Sequence, residues 1–123
     1  MGDNKGYIKK TDENGSVNIS EEVLAIIAAT AAMEVEGVYG LNSSHGREIT
    51  QKLGRKGSAK GVKISVDDDD LSIDIQIMVE MGTSINDVGA EIQNAVKSAV
   101  ESAVGLTVKT VNVHICGIAL KKN

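Results

Sequence analysis

The sequence predicts an α+β domain of two layers, a small sheet of three to four strands in β-α-β-β-α-β order with two main helices on one face. Three observations lead to it. Residues 62–66 and 71–79 alternate apolar and polar side chains, as half-buried strands do. Residues 85–103 carry apolar side chains at spacings of three and four, the stripe of an amphipathic helix. Residues 20–34 are nearly all apolar and open on a serine suited to cap a helix. In a chain of 123 residues these elements pack most simply as one sheet covered on one side.

Taken in order, residues 1–15 are polar, lack a hydrophobic period and read as a flexible N-terminal tail. Ser16-Val17-Asn18-Ile19 alternates and predicts a short strand that opens the domain, residues 16–120, with 121–123 as a C-terminal tail. Ser20 caps the first helix, Glu21 and Glu22 suit the positive end of its dipole, and Gly37 is placed to end it. This helix is apolar nearly all the way round. Packed on one side only, it leaves apolar surface for a further layer or a second subunit. Residues 37–60, with Gly37, Gly40, Gly46, Gly54 and Gly57, read as a connection, with a short helix over Arg47–Leu53. The two alternating strands then form a hairpin turning at Asp67–Asp70. Ser84 opens the second helix with Asp87 as a capping-box partner, and Gly105 closes it. The last strand, Thr107 to Leu120, turns Val111, Val113 and Ile115 inward and Asn112, His114 and Cys116 outward.

Composition narrows the function. The chain has no Phe or Trp and only Tyr7 and Tyr39, so it lacks the stacking surfaces of single-strand nucleic acid binders. Its net charge is −4, but Arg47, Lys52, Arg55, Lys56, Lys60 and Lys63 stand against Glu48 alone, a local +5. These six cations form the candidate interaction patch. Within it, Gly54-Arg55-Lys56-Gly57 has the GxxG spacing by which KH domains clamp a nucleic acid backbone. There the loop joins two helices, whereas here a strand follows, so nucleic acid is not the expected partner. One cysteine excludes an intrachain disulfide and fits a reducing compartment. No stretch approaches the roughly 20 apolar residues that cross a bilayer. The expected location is the cytoplasm, peripheral to the membrane only through a partner.

Nothing assembles into a catalytic site. His114 and Cys116 lie two apart on one strand, but His45 is the only other histidine and no third group completes a nucleophile or zinc set. Asp67–Asp70 lacks the spacing and glycine of a calcium loop and reads as a solvated turn. Glu34 and Glu36 do not face one another on a helix. The sequence therefore predicts a non-enzymatic protein with no catalytic, cofactor or metal residues.

Five segments carry a resemblance. Gly15 through Val23 (GSVNISEEV), Ala32 through Val38 (AMEVEGV), Lys60 through Ile64 (KGVKI), Gly82 through Ile85 (GTSI) and Gly105-Leu106 on to Val111 through Ile118 (VNVHICGI) follow in the order and spacing of the alkaline shock protein family. The resemblance covers residues 15 to about 120, and the chain is similar to the short members of the family. It implies a small cytosolic protein of Gram-positive bacteria, concerned with envelope homeostasis and stress tolerance. It further implies self-assembly, a membrane-anchored partner, or a link to fatty-acid metabolism through a protein partner. It carries over no catalytic residues. The Asp67–Asp70 run departs from the tighter Asp-Gly or Asn-Gly turn usual in such relatives and puts the hairpin's loop length in question.

Overall fold

The computed structural model describes residues 7–41, 61–67 and 70–120. The elements are β1 (Tyr7–Asp12), β2 (Gly15–Ser20), α1 (Glu21–Met33), β3 (Val38–Leu41), β4 (Val62–Asp67), β5 (Asp70–Glu80), α2 (Ile85–Val104) and β6 (Val108–Ala119). The class is α+β, as the periodicities predict.

β5 organises the molecule because its alternation is the longest and cleanest. Leu71, Ile73, Ile75, Ile77 and Val79 all lie on one face and are buried, while the residues between them are only partly covered. β6 runs parallel to β5 from Leu71 to Glu80, a pairing that needs a crossover, which α2 supplies. The opposite edge of β5 is shared. β3 runs antiparallel along Ile77–Val79 and β4 along Asp70–Ile75, end to end. Leu41 is thus opposite Ile77 and Val62 opposite Ile75, so the chain leaves and rejoins this edge at neighbouring points.

Both helices cover the buried face. α1 presents Leu24, Ala25, Ala28 and Ala32, and its small residues let the helix lie close to α2 and the sheet. α2 buries Val88, Ile92, Val96, Val100 and Val104, one residue in four. Among the described residues no polar or charged side chain is buried. The core is held by aliphatic burial and interdigitation alone.

Local chemistry fixes the helix ends. The Ser20 hydroxyl accepts from the Val23 N–H at 3.1 Å, capping α1 as its type predicts. Gly105 closes α2 in the left-handed region, φ 73°, with its N–H on the Glu101 carbonyl. Gly37 has a larger duty than ending a helix. Its φ is +100°, and a Cβ there would stand 2.8 Å from Thr83 Cγ2 and 2.9 Å from Val88 Cγ2. The turn after α1 therefore approaches the start of α2 too closely for any side chain.

Several expectations are corrected. Residues 7–12 are not tail but strand β1, paired with β2 from Tyr7↔Ser20 to Asp12↔Gly15. The strand predicted at 16–19 exists, but it belongs to this separate two-stranded ribbon and not to the main sheet. β3 occupies part of the predicted connection. It is four residues long and contains Gly40, too short to show a period, and it forms because β5 offers an unpaired edge. Ser84 is the N-cap of α2, but its side chain makes no capping hydrogen bond, so no capping box forms with Asp87. Ile85, assigned to the buried stripe, is exposed. Asp67 pairs with Asp70, so β4 and β5 stay in register up to the turn. The helix predicted at Arg47–Leu53 lies outside the described residues.

Candidate interaction surfaces

Three surfaces follow from this architecture: the open face of the sheet, the outer edge of β6 and the outward side of α1.

The open face is polar. In register, Lys63 of β4, Asp74 of β5 and Asn112 of β6 form a row across three strands. Asn112 Nδ2 donates to Asp74 Oδ1 at 2.8 Å, and His114 Nε2 lies 4.0 Å from the same oxygen. These side chains are exposed or half-buried, so a pair of this kind adds little to stability. His114 and Cys116 do not act together. A register shift between Ile115 and Gly117 puts Cys116 at a bulge, and its Sγ donates to the His114 main-chain carbonyl at 3.6 Å. The imidazole turns to Asp74 instead. Among the described residues no group of three His, Cys, Asp or Glu side chains could hold a metal ion.

The outer edge of β6 is treated differently along its length. At its start, Glu101 Oε2 accepts from the Val108 N–H at 2.8 Å, and Lys97 Nζ donates to the Val108 carbonyl at 3.3 Å. Gln93 Nε2 donates to the Val111 carbonyl at 3.0 Å. One face of α2 thus satisfies the outward backbone groups as a neighbouring strand would. The sequence shows these three residues only as the polar face of a helix.

Glu101 carries a pH consequence. The Val108 N–H holds its carboxyl below the ordinary value of 4.5, opposed by partial desolvation and assisted by Lys97, 3.3 Å away. A folded-state value below the unfolded one makes this contribution full above about 4.5 and lost as pH falls through the lower, folded value. In urea titrations over a pH series, Glu101→Gln should show a shallower loss of stability below that point than the parent chain. Parallel curves would contradict the assignment.

The outward side of α1 is apolar. Val23 is 46% exposed, Ile26 51% and Met33 47%. Thr30 lies on the same side, and its hydroxyl donates to the Ile26 carbonyl at 2.8 Å, which leaves its methyl to face out. The stripe is about 15 Å long at helical rise. Its flanking charges are all acidic, Glu21 and Glu22 before it and Glu34 and Glu36 after it, with no basic residue in the helix. The sequence marks this surface through its missing polar stripe.

The basic patch is not brought together by the described residues. Lys63 is exposed on β4, in register with Asp74. Arg47, Lys52, Arg55, Lys56 and Lys60 lie outside the described residues. Among the described residues no helix is long and apolar enough to cross a membrane.

Comparisons with known proteins agree on one family. The model of the alkaline shock protein 23 family, with cell envelope-related function, matches residues 9–120. The uncharacterized protein YqhY of Bacillus subtilis is 34% identical over 104 residues, covering 85% of this chain and 77% of its own. YloU of the same organism is 32% identical over 106 residues, covering 85% and 88%. A Streptococcus pyogenes protein is 34% identical over 113 residues, covering 90% and 93%. Among solved structures, forms of the MamM CTD superpose with TM-scores of 0.48 to 0.49 at 18–20% identity. One of them covers 83% of this chain and 96% of its own. A likeness of that degree carries no functional argument.

Proposed function

The chain belongs to the alkaline shock protein family, whose function is cell envelope-related, and from that premise we propose a non-enzymatic binding and assembly protein of envelope homeostasis and stress response. It acts by self-association or by docking on a membrane-anchored partner from the cytoplasmic side. The observation that carries this reading is the apolar stripe of Val23, Ile26 and Met33, three large side chains each about half exposed. Contiguous apolar surface of this kind marks interaction sites, and covering the exposed half of such a side chain contributes about 1 kcal/mol. The alternatives are a regulator of lipid or fatty-acid metabolism by protein contact and a nucleic acid module using Gly54-Arg55-Lys56-Gly57. The second of these rests on residues outside the described ones.

Radical footprinting read by mass spectrometry tests the proposal. Met33 should be oxidised readily in the dilute purified chain and several-fold more slowly once the chain is mixed with the envelope fraction of the cells that produce it. Equal oxidation in both would count against a role for this helix.

A further inference from the structure

The outer edge of β6 changes character halfway along. Its first part is occupied: Glu101, Lys97 and Gln93 of α2 satisfy Val108 and Val111. Beyond Val111 no described side chain or strand takes the outward backbone groups, since β6 pairs with β5 alone. The Val111 carbonyl points outward, so by alternation Val113 and Ile115 do too. Past the bulge at Cys116, the Ala119 carbonyl accepts from the Met81 N–H on the β5 side, which turns Ile118 outward.

Natural edge strands are kept from pairing by prolines, charges, bulges or a covering element. Among the described residues this segment has only the bulge at Cys116. Thr110 through Leu120 contains no Asp, Glu, Lys, Arg or Pro. Its exposed end is apolar, with Ile118 52% and Leu120 71% exposed and Met81, also exposed, tied to Ala119. The free stretch Val113–Ala119 is about 23 Å long and is interrupted by the bulge at Cys116, which leaves room for a short strand pairing.

We infer that β6 pairs antiparallel with β6 of a second copy about a two-fold axis, joining two sheets into one continuous sheet. Charge selects this occupant. A strand that meets itself must carry no like charges opposite one another, and this one carries none. The α1 stripe fails the same condition, because two antiparallel copies would bring Glu22 of one helix near Glu34 of the other. A two-fold axis uses the same patch on both partners, so a single free edge is sufficient and the assembly closes as a dimer. Copy-to-copy contact then leaves α1 free for a different protein. The inference rests on the binding and assembly reading and assigns a surface to its self-association.

Sedimentation velocity across a concentration series, with Cys116 as the sole site for a short bismaleimide crosslinker, tests it. The parent chain should form a concentration-dependent dimer that is captured through the exposed Cys116 of each copy. Ile118→Lys places a charge on an already exposed position, should keep the far-ultraviolet dichroism of the parent, and should weaken dimerisation at least tenfold with loss of the crosslink. A double substitution on α1, Ile26→Lys with Met33→Lys, should leave the dimer intact. If the Ile118→Lys chain dimerises as the parent does, or only the α1 variant becomes monomeric, the edge pairing is wrong and self-association itself stands. A parent chain that stays monomeric at about 100 µM overturns both the edge pairing and self-association, and leaves the partner-docking reading to be judged at α1.

Discussion

Replacing Ile75 by alanine should cost about 4 kcal/mol of folding stability and lower the thermal midpoint by roughly 10–20 °C. Ile75 is 0% exposed at the middle of β5, in register with Val62 of β4 on one side and Val113 of β6 on the other. Its side chain enters a layer closed by two helices, where every buried neighbour among the described residues is aliphatic. Such a layer is close-packed, so the removed methyl and methylene groups leave a cavity that strands held on both edges cannot collapse to fill. A domain of this size has only about 5–15 kcal/mol in all. Ile118→Ala, by contrast, removes comparable atoms from an exposed position and should stay within about 0.5 kcal/mol. Chemical denaturation of the two variants measures the difference. An Ile75→Ala cost below about 1 kcal/mol would mean that β5 is not the centre of the core.

Much of that core was legible before any coordinates. The period of two over residues 71–79 gives the buried face of β5 residue for residue. The spacing over residues 85–103 gives Val88, Ile92, Val96 and Val100 on the inner side of α2, though it takes the exposed Ala103 in place of the buried Val104. Both signals are long and arise from burial on one side, the condition under which periodicity is informative. The misses have the opposite character. β3 is four residues long, contains a glycine and is stabilised by pairing with β5 elsewhere in the chain. β1 is six residues long and pairs with the adjacent β2 across a turn in which the Asn14 N–H donates to Asp12 Oδ1. Cross-strand hydrogen bonds leave no trace in local composition. Ile85 was misplaced because a helical spacing continues past the point where the sheet stops covering it.

The surfaces divide in the same way. The apolar outside of α1 was predicted because a helix with no polar side must expose apolar side chains wherever packing is one-sided. The covering of β6 by Gln93, Lys97 and Glu101 was not, because it depends on where a helix face falls against a strand edge. Sequence also marks the basic segment as a surface, by its local charge of +5. Of its six cations only Lys63 falls among the described residues.

Substituting lysine at both Ile26 and Met33 should abolish association with the envelope while leaving the domain folded. Both side chains are about half exposed, so their replacement removes little native packing and should change stability by less than about 1 kcal/mol. In a docked state, each lost side chain forfeits about 1 kcal/mol of burial, since half of it is already covered in the free chain. Each lysine must also be desolvated against an apolar partner. The sum corresponds to a loss of at least about a hundredfold in affinity. The rim of Glu22 and Glu34 suits a partner with cations beside its apolar contact, so high salt should weaken the parent interaction in the same direction. Partitioning the parent and the double variant between soluble and envelope fractions of lysed cells, with thermal melts to verify folding, measures this directly. The expected result is parent chain in the envelope fraction and a folded variant in the soluble one. A folded variant retained at the envelope as fully as the parent would contradict the role assigned to α1.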